Sequence, residues 1–129
     1  MRLASAFWVS ALLRRADLAG AVAVVRRRGD EVAGAIWVVV DRLDGTIDLH
    51  VPAPQSLVDE DASDDRRFET VAARAEPAAV EARIASEVRF DPDLWVVEVE
   101  DRAGRSFVEP PPIDPNAPPP ARPVWPPRD

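Results

Sequence analysis

Residues 35–40 read Ala-Ile-Trp-Val-Val-Val, with no polar residue among them. Successive side chains of a β-strand point to opposite faces, so an extended run of this kind is apolar on both. It belongs in the interior of a sheet, with cover on each side, and the remainder of the chain must supply its neighbours. The chain has 129 residues, 47% of them hydrophobic. That is enough for one domain with a real core and too little for two of ordinary size.

The neighbours are legible from period and punctuation. Ala21 to Arg28 is rich in valine and closes on three arginines, and Gly29-Asp30 begins a turn. Gly34 to Val40 is the central strand. Leu43-Asp44-Gly45-Thr46 marks a hairpin, because Asp-Gly tolerates the positive φ of a tight turn. In the strand that follows, Ile47, Leu49 and Val51 share one face, and Thr46, Asp48 and His50 share the other. By this alternation His50 is expected on a solvated face. Pro52-Ala53-Pro54 ends the strand. Arg66 to Val71 suits a short strand anchored by Phe68. Leu94 to Glu100 alternates again, with Trp95, Val97 and Val99 opposite Leu94, Val96, Glu98 and Glu100. Asp101-Arg102-Ala103-Gly104 is a turn, and Arg105 to Val108 is expected to return as a short last strand.

Two segments read as helices. Ala4 to Ala19 is stopped by Gly20, which takes the left-handed conformation at little cost. Ser10, Arg14 and Asp17 form a narrow polar stripe, and the wide apolar remainder predicts a mostly buried helix. Arg15 falls inside that arc, its stem packed and its head reaching out. Phe7 to Val9 also suits a short strand, with the helix then starting near Ser10. The second helix opens at Pro77, a favoured first-turn proline. It buries Val80, Ile84 and Val88 and breaks at Asp91-Pro92-Asp93. The expected fold is α+β: a mainly antiparallel sheet of four to five strands with two helices on one face, spanning residues 1–108. Trp37 and Trp95 are its expected aromatic anchors.

Charge and punctuation separate two further segments. Residues 52–65 carry Asp59, Glu60, Asp61, Asp64 and Asp65 and no base, and are expected to form a flexible acidic loop. Residues 109–129 hold ten of the fourteen prolines and are expected to be a disordered polyproline-type tail. The apolar run Leu3 to Leu13 is too short to span a bilayer and is cut off by Arg14-Arg15 without a cleavage site, so the expected location is the cytoplasm.

Composition closes off much chemistry. There is no cysteine and no tyrosine, His50 is the single histidine, and all sixteen basic residues are arginine. Thiol catalysis, cysteine or multi-histidine metal sites and lysine-based chemistry are excluded within one chain. No serine sits in a Gly-x-Ser-x-Gly turn. Glu98 and Glu100 share a strand face, but such one-sided polarity is ordinary for antiparallel sheets. No metal and no cofactor is expected. A net charge of -7 argues against nucleic acid and anionic membranes as partners.

Two sets of residues remain as candidate sites. Arg26, Arg27, Arg28, Arg66 and Arg67, if converged, would bind an anion through bidentate contacts. In the tail, Pro123, Trp125, Pro126 and Arg128 fit a Pro-x-x-Pro-x-Arg pattern of the kind that proline-reading domains take. The resulting reading is a small non-enzymatic interaction or accessory protein with a protein partner. The alternative is an anion- or phosphoryl-ligand-binding protein, or a small enzyme, built on the arginines.

Trp8-Val9, Arg14-Arg15, Gly20, Arg28-Gly29-Asp30, Ala33-Gly34, Leu43-Asp44-Gly45 and above all Phe90-Asp91-Pro92-Asp93-Leu94-Trp95-Val96-Val97-Glu98-Val99-Glu100-Asp101 give the chain a family likeness. Over residues 2–108 it resembles an uncharacterised family of short alphaproteobacterial proteins. The resemblance implies a bacterial, cytoplasmic, single-domain protein and carries no catalytic or binding residue with it.

Overall fold

A computed structural model describes residues 3–54 and 66–116. The elements are α1 (Ser5–Leu18), β1 (Val22–Arg27), β2 (Ile36–Asp41), β3 (Ile47–Pro52), β4 (Phe68–Ala75), α2 (Pro77–Phe90) and β5 (Trp95–Glu100). Most of the acidic segment 52–65 and the tail beyond Asn116 lie outside the described residues.

The strands form one sheet in the order β1-β5-β2-β3-β4. Three of its pairings are antiparallel, and β2 and β5 run parallel, Ile36 beside Trp95 through Asp41 beside Glu100. The sheet is therefore mixed. The chain inserts β5 between β1 and β2 because β5, like β2, is apolar on both faces over its first residues. Leu94, Trp95, Val96 and Val97 are all fully buried, as are Ile36, Val38, Val39 and Val40.

Two apolar sheet faces require two covers, and the helices divide between them. Trp8, Val9 and Leu12 of α1 pack with Val38, Val40, Trp95, Val97 and Phe68. Val80 and Ile84 of α2 pack with Trp37, Val39, Leu49 and Val96. The expectation of both helices on one face is thus corrected: neighbours in sequence along β2 and β5 face opposite helices. Trp95 and Trp37 anchor different layers, and Trp8 stacks on Phe68 with ring centroids 5.1 Å apart.

The apolar arc of α1 is wider than the stripe it buries. Ser5, Trp8, Val9, Leu12 and Ala16 are buried, whereas Phe7 and Leu18 are 63% and 74% exposed. The first helical N–H groups, which have no partner within a helix, are met by the loop after β1: Ser5 N–H donates to Val32 O and Ala6 N–H to Glu31 O. At the other end Gly20 adopts φ +79°, and Ala21 N–H donates back to Ala16 O.

Arg105 to Val108 does not form the expected last strand. Asp101 holds the Arg105 N–H and guanidinium, Phe107 takes a positive φ of 62°, and Arg15 donates twice to the Phe107 carbonyl, at 3.0 and 2.7 Å. A backbone turned and engaged in this way cannot join a ladder. The segment instead delivers Val108 into the α1-side core.

Candidate functional site

The β1 end, the β5 and β2 starts, the β3 end and the β4 start all lie at one end of the sheet. Registers Arg27↔Val96, Ile36↔Trp95, Val38↔His50 and Pro52↔Phe68 place them there. The five candidate arginines all belong to this end of the sheet. Arg26 to Arg28 belong to the β1 edge, and Arg66 and Arg67 precede β4 at the opposite edge. Four strand spacings separate the edges, about 19 Å.

Arg26, Arg27, Arg28 and Arg66 all have structural work. Arg26 grips both Glu81 oxygens at 2.9 and 2.7 Å and reaches Glu98 at 3.4 Å. The hydrogen bond to Glu81 raises the Arg26 pKa, and the same bond lowers that of Glu81. Burial pushes the Glu98 carboxyl up against the pull of Arg26. Arg27 donates to Pro92 O at 2.8 Å. Arg28 pairs with Glu31 at 3.0 Å and lies 5.0 Å over the Trp95 ring. Arg66 donates to Leu3 O and Ser5 Oγ, each at 3.0 Å, tying the β4 start to the α1 start. Arg67 is half-buried beside it, and its carbonyl accepts from Ala53 N–H.

The residues that carry the family likeness meet at this same end. A Cβ on Gly29 would lie 2.0 Å from Asp93 O and one on Gly34 2.5 Å from it, so only glycine permits the two loops to touch. Asp30 N–H donates to Asp93 O, and Trp95 Nε1–H donates to Asp30 O at 2.7 Å. The Asp30 carboxylate caps Val32 and Ala33 N–H, and Asp91 caps Asp93 N–H. Phe-Asp-Pro-Asp-Leu-Trp and Arg-Gly-Asp are therefore two halves of one loop-to-loop lock.

A second polar group lies on the α1 face of β3 and β4, where sequence alternation alone gave no warning of it. Asp48 is 2% and His50 6% exposed, which corrects the expectation of a solvated His50. β3 is an interior strand, flanked by β2 and β4, and its second face is covered as well as its first. Arg42 chelates Asp48 through Nε and Nη2, the shortest contact 2.7 Å, and Arg74 N–H adds 2.8 Å. The bond to Asp48 raises the Arg42 pKa. The turn at Gly104 closes over this pair, since a Cβ there would meet the Arg42 guanidinium at 2.5 Å.

His50 Nδ1 and Thr70 Oγ1 are 3.0 Å apart, a spacing that suits a nucleophile and its base. Two facts describe this pair further. Burial lowers the His50 pKa from 6.5 to about 4, Arg42 lowering it further against the opposing pull of Asp48 and Asp114, so the ring is a weak base. Its Nε2 has no hydrogen-bond partner among the described residues, so no carboxylate orients it. No group of three or more His, Asp or Glu among the described residues is placed to hold a metal.

The outer edge of β4 is not bare. The proline-rich segment crosses it, and Ile113 makes a parallel bridge beside Glu69. Ile113 N–H donates to Phe68 O at 2.8 Å, and Thr70 N–H donates to Ile113 O at 2.7 Å. The chain thus stays on the domain to Ile113, past Val108, where a free tail was expected to begin. Pro123, Trp125, Pro126 and Arg128 lie outside the described residues.

Fold and contacts define a small α+β domain, a five-stranded mixed sheet with one helix on each face. The chain belongs to DUF1491, described as a protein family of unknown function, whose pattern matches residues 3–109. It is similar to the solution structure of Atu0922 from A. tumefaciens, with 44% identity, 84% of this chain and 93% of that one covered, and a TM-score of 0.72. It is also similar to the crystal structure of a DUF1491 family protein from Caulobacter crescentus CB15, with 40% identity, 86% and 97% covered, and a TM-score of 0.71. The solution structure of a DUF1491 protein from that organism gives 39% identity, 88% and 97% covered, and a TM-score of 0.70. No curated protein matches the chain. No helix among the described residues is long and apolar enough to cross a membrane.

Proposed function

We propose that the chain is a non-enzymatic interaction or accessory protein that acts in the cytoplasm by binding a protein partner. One observation carries this reading: large apolar side chains are turned outward on both helices and in the loop after β1. Phe7 on α1 and Phe90 at the end of α2 are 63% and 84% exposed, with Leu18 and Val32 exposed at 74% and 70%. Exposed aromatics of this kind are over-represented where proteins meet. In this reading Pro123, Trp125, Pro126 and Arg128 offer a further contact to a proline-reading partner.

The test is site-specific photo-cross-linking in an alphaproteobacterial host, with the cross-linker at Phe7 or Phe90 and a control at exposed Arg102. A discrete adduct from the first two positions and none from the third is expected. Adducts of equal yield from all three, or from none, would reject the reading. The competing anion-site reading requires Arg26 to leave Glu81. It predicts that inorganic phosphate at low salt shifts the Arg26 and Glu81 resonances together.

A further inference from the structure

The two edges of the sheet are not alike. Ile113 crosses the outer edge of β4, whereas β1 ends the sheet on the other side. Beyond the ladder with β5, Val22 to Arg27 make no backbone hydrogen bond among the described residues. Such an edge is a template for another strand, and proteins blunt it with charge, bulges or cover. β1 is blunted over one half only. Its register with β5 shifts between Val25 and Arg27, and Arg26, Arg27 and Arg28 follow one another there. Val22 to Val25 keep a regular ladder and carry no charge. Val22, Val24 and Val25 are 54%, 47% and 37% exposed, and Leu18, just before them at the end of α1, is also turned outward.

We propose that the Val22–Val25 edge is where a second copy of this chain docks, its β1 adding antiparallel so that one sheet runs through both copies. The occupant follows from the order of residues along the edge. Val22 and Val24 lie in register with Glu100 and Glu98, and Ala23 and Val25 with Val99 and Val97 on the α1 side. Residues directly opposite in an antiparallel pair share a face. A two-fold axis through Ala23 therefore sets Val22 against Val24 of the second copy, Ala23 against Ala23, and Val25 against Ala21. Every pair is apolar, so the segment is its own complement. The arginines act by position alone. Arg26 and Arg28 pair with Glu81 and Glu31, and Arg27 donates to Pro92 O, so none is needed for a bond in the dimer. A parallel addition would crowd the three arginines of each copy at one end, where like charges repel. The antiparallel one leaves them outside the ladder, at opposite ends. The ladder is short, so the dimer forms and dissociates with concentration.

This goes beyond the interaction reading, whose probes at Phe7 and Phe90 belong to the helices, and either can fail alone. The chain has no cysteine, so an introduced one reports by itself. In the proposed register Ala23 faces its own copy, with Cα atoms about 4.5–5.5 Å apart, within disulfide range. Full-length Ala23→Cys is expected to give a disulfide-linked dimer under mild oxidation, and Arg102→Cys, exposed at a turn, to stay monomeric. Because Ala23 is half-buried, a mixture of Val22→Cys and Val24→Cys, also opposite in this register, is expected to cross-link between the two variants in preference to either with itself. Equal yield from Arg102→Cys, or no dimer from either arrangement, would overturn the proposal. Sedimentation of the wild type should show a monomer–dimer equilibrium as concentration rises. Val24→Arg, exposed in the monomer, should weaken it about tenfold or more with its amide dispersion unchanged. A wild type still monomeric at about 1 mM, the weak end of measurable association, or a dimer that Val24→Arg leaves intact, would also overturn it.

Discussion

At the scale of single residues, His50 makes stability depend on pH. Its folded pKa is about 4 against an ordinary 6.5, so between those values the unfolded chain binds a proton that the folded chain refuses. Stability is then full above pH 6.5, declines as pH falls towards 4, and is level below that as far as this group is concerned. The expected loss is about 3 kcal/mol, since each pH unit between the two values is worth about 1.36 kcal/mol. Urea denaturation across this range should show it, and His50→Leu should flatten the slope. Glu98 works in the opposite direction: its raised pKa means stability is regained as it protonates. Asp48 depends on Arg42 in a different way. Arg42→Ala leaves a carboxylate with a side-chain exposure of 3% bonded to Arg74 N–H but without its counter-charge. Breaking a buried pair from one side costs about 3–5 kcal/mol, and chemical denaturation of the variant should read that loss. Trp95 combines full burial with the bond from Nε1 to Asp30 O. Trp95→Ala should cost about 3–5 kcal/mol by the same measurement, with Trp95→Phe recovering most of the packing but not the bond.

Between elements, the loops after β1 and before β5 are held by contact rather than by regular structure. Gly29 shows how tight that contact is. A methyl group at its Cβ position meets a backbone carbonyl at 2.0 Å, which no rotamer change relieves. Gly29→Ala should destabilise by about 3 kcal/mol or more, the upper range for overpacking. Gly20, where a Cβ would meet nothing within 4 Å, should lose only the cost of a positive φ, about 1 kcal/mol. Thermal melts of the two alanine variants side by side would check the ranking. The element boundaries themselves were largely legible. Gly20, Asp44-Gly45, Pro77 and Asp91-Pro92 stop or start α1, β3 and α2 within a residue or two of where local chemistry puts them. β4 was legible only to Val71, because register shifts against β3 between Ile47 and His50 break the period-two pattern beyond it. The strand expected at Arg105 to Val108 fails for one local and one distant reason: Asp101, four residues back, takes the Arg105 N–H, and Arg15 on α1 takes the Phe107 carbonyl.

For the molecule as a whole, the described part of the proline-rich segment is held to the sheet at Ile113. Truncation after Asn116 should leave the melting temperature unchanged. Truncation after Val108 removes the Ile113 bridge and should lower it by about 4–8 °C, the equivalent of roughly 1 kcal/mol in a domain of this size. Calorimetry of both truncations against the full chain would check this; equal melting temperatures for all three would mean the bridge contributes nothing. What the amino-acid order determined alone is the kind and extent of most elements, the central place of β2, and the poverty of reactive groups. Period, turn chemistry and composition are properties of short stretches. Tertiary structure decided which face each helix covers, the burial of Asp48 and His50, the separation of the five arginines to two edges, and the seating of Ile113 on β4. Each of these depends on which strand lies beside which. Strand order is set by contacts between residues far apart in the chain, and β5 takes its place beside β2 because both strands, apolar on two sides, exclude the most water when paired with each other.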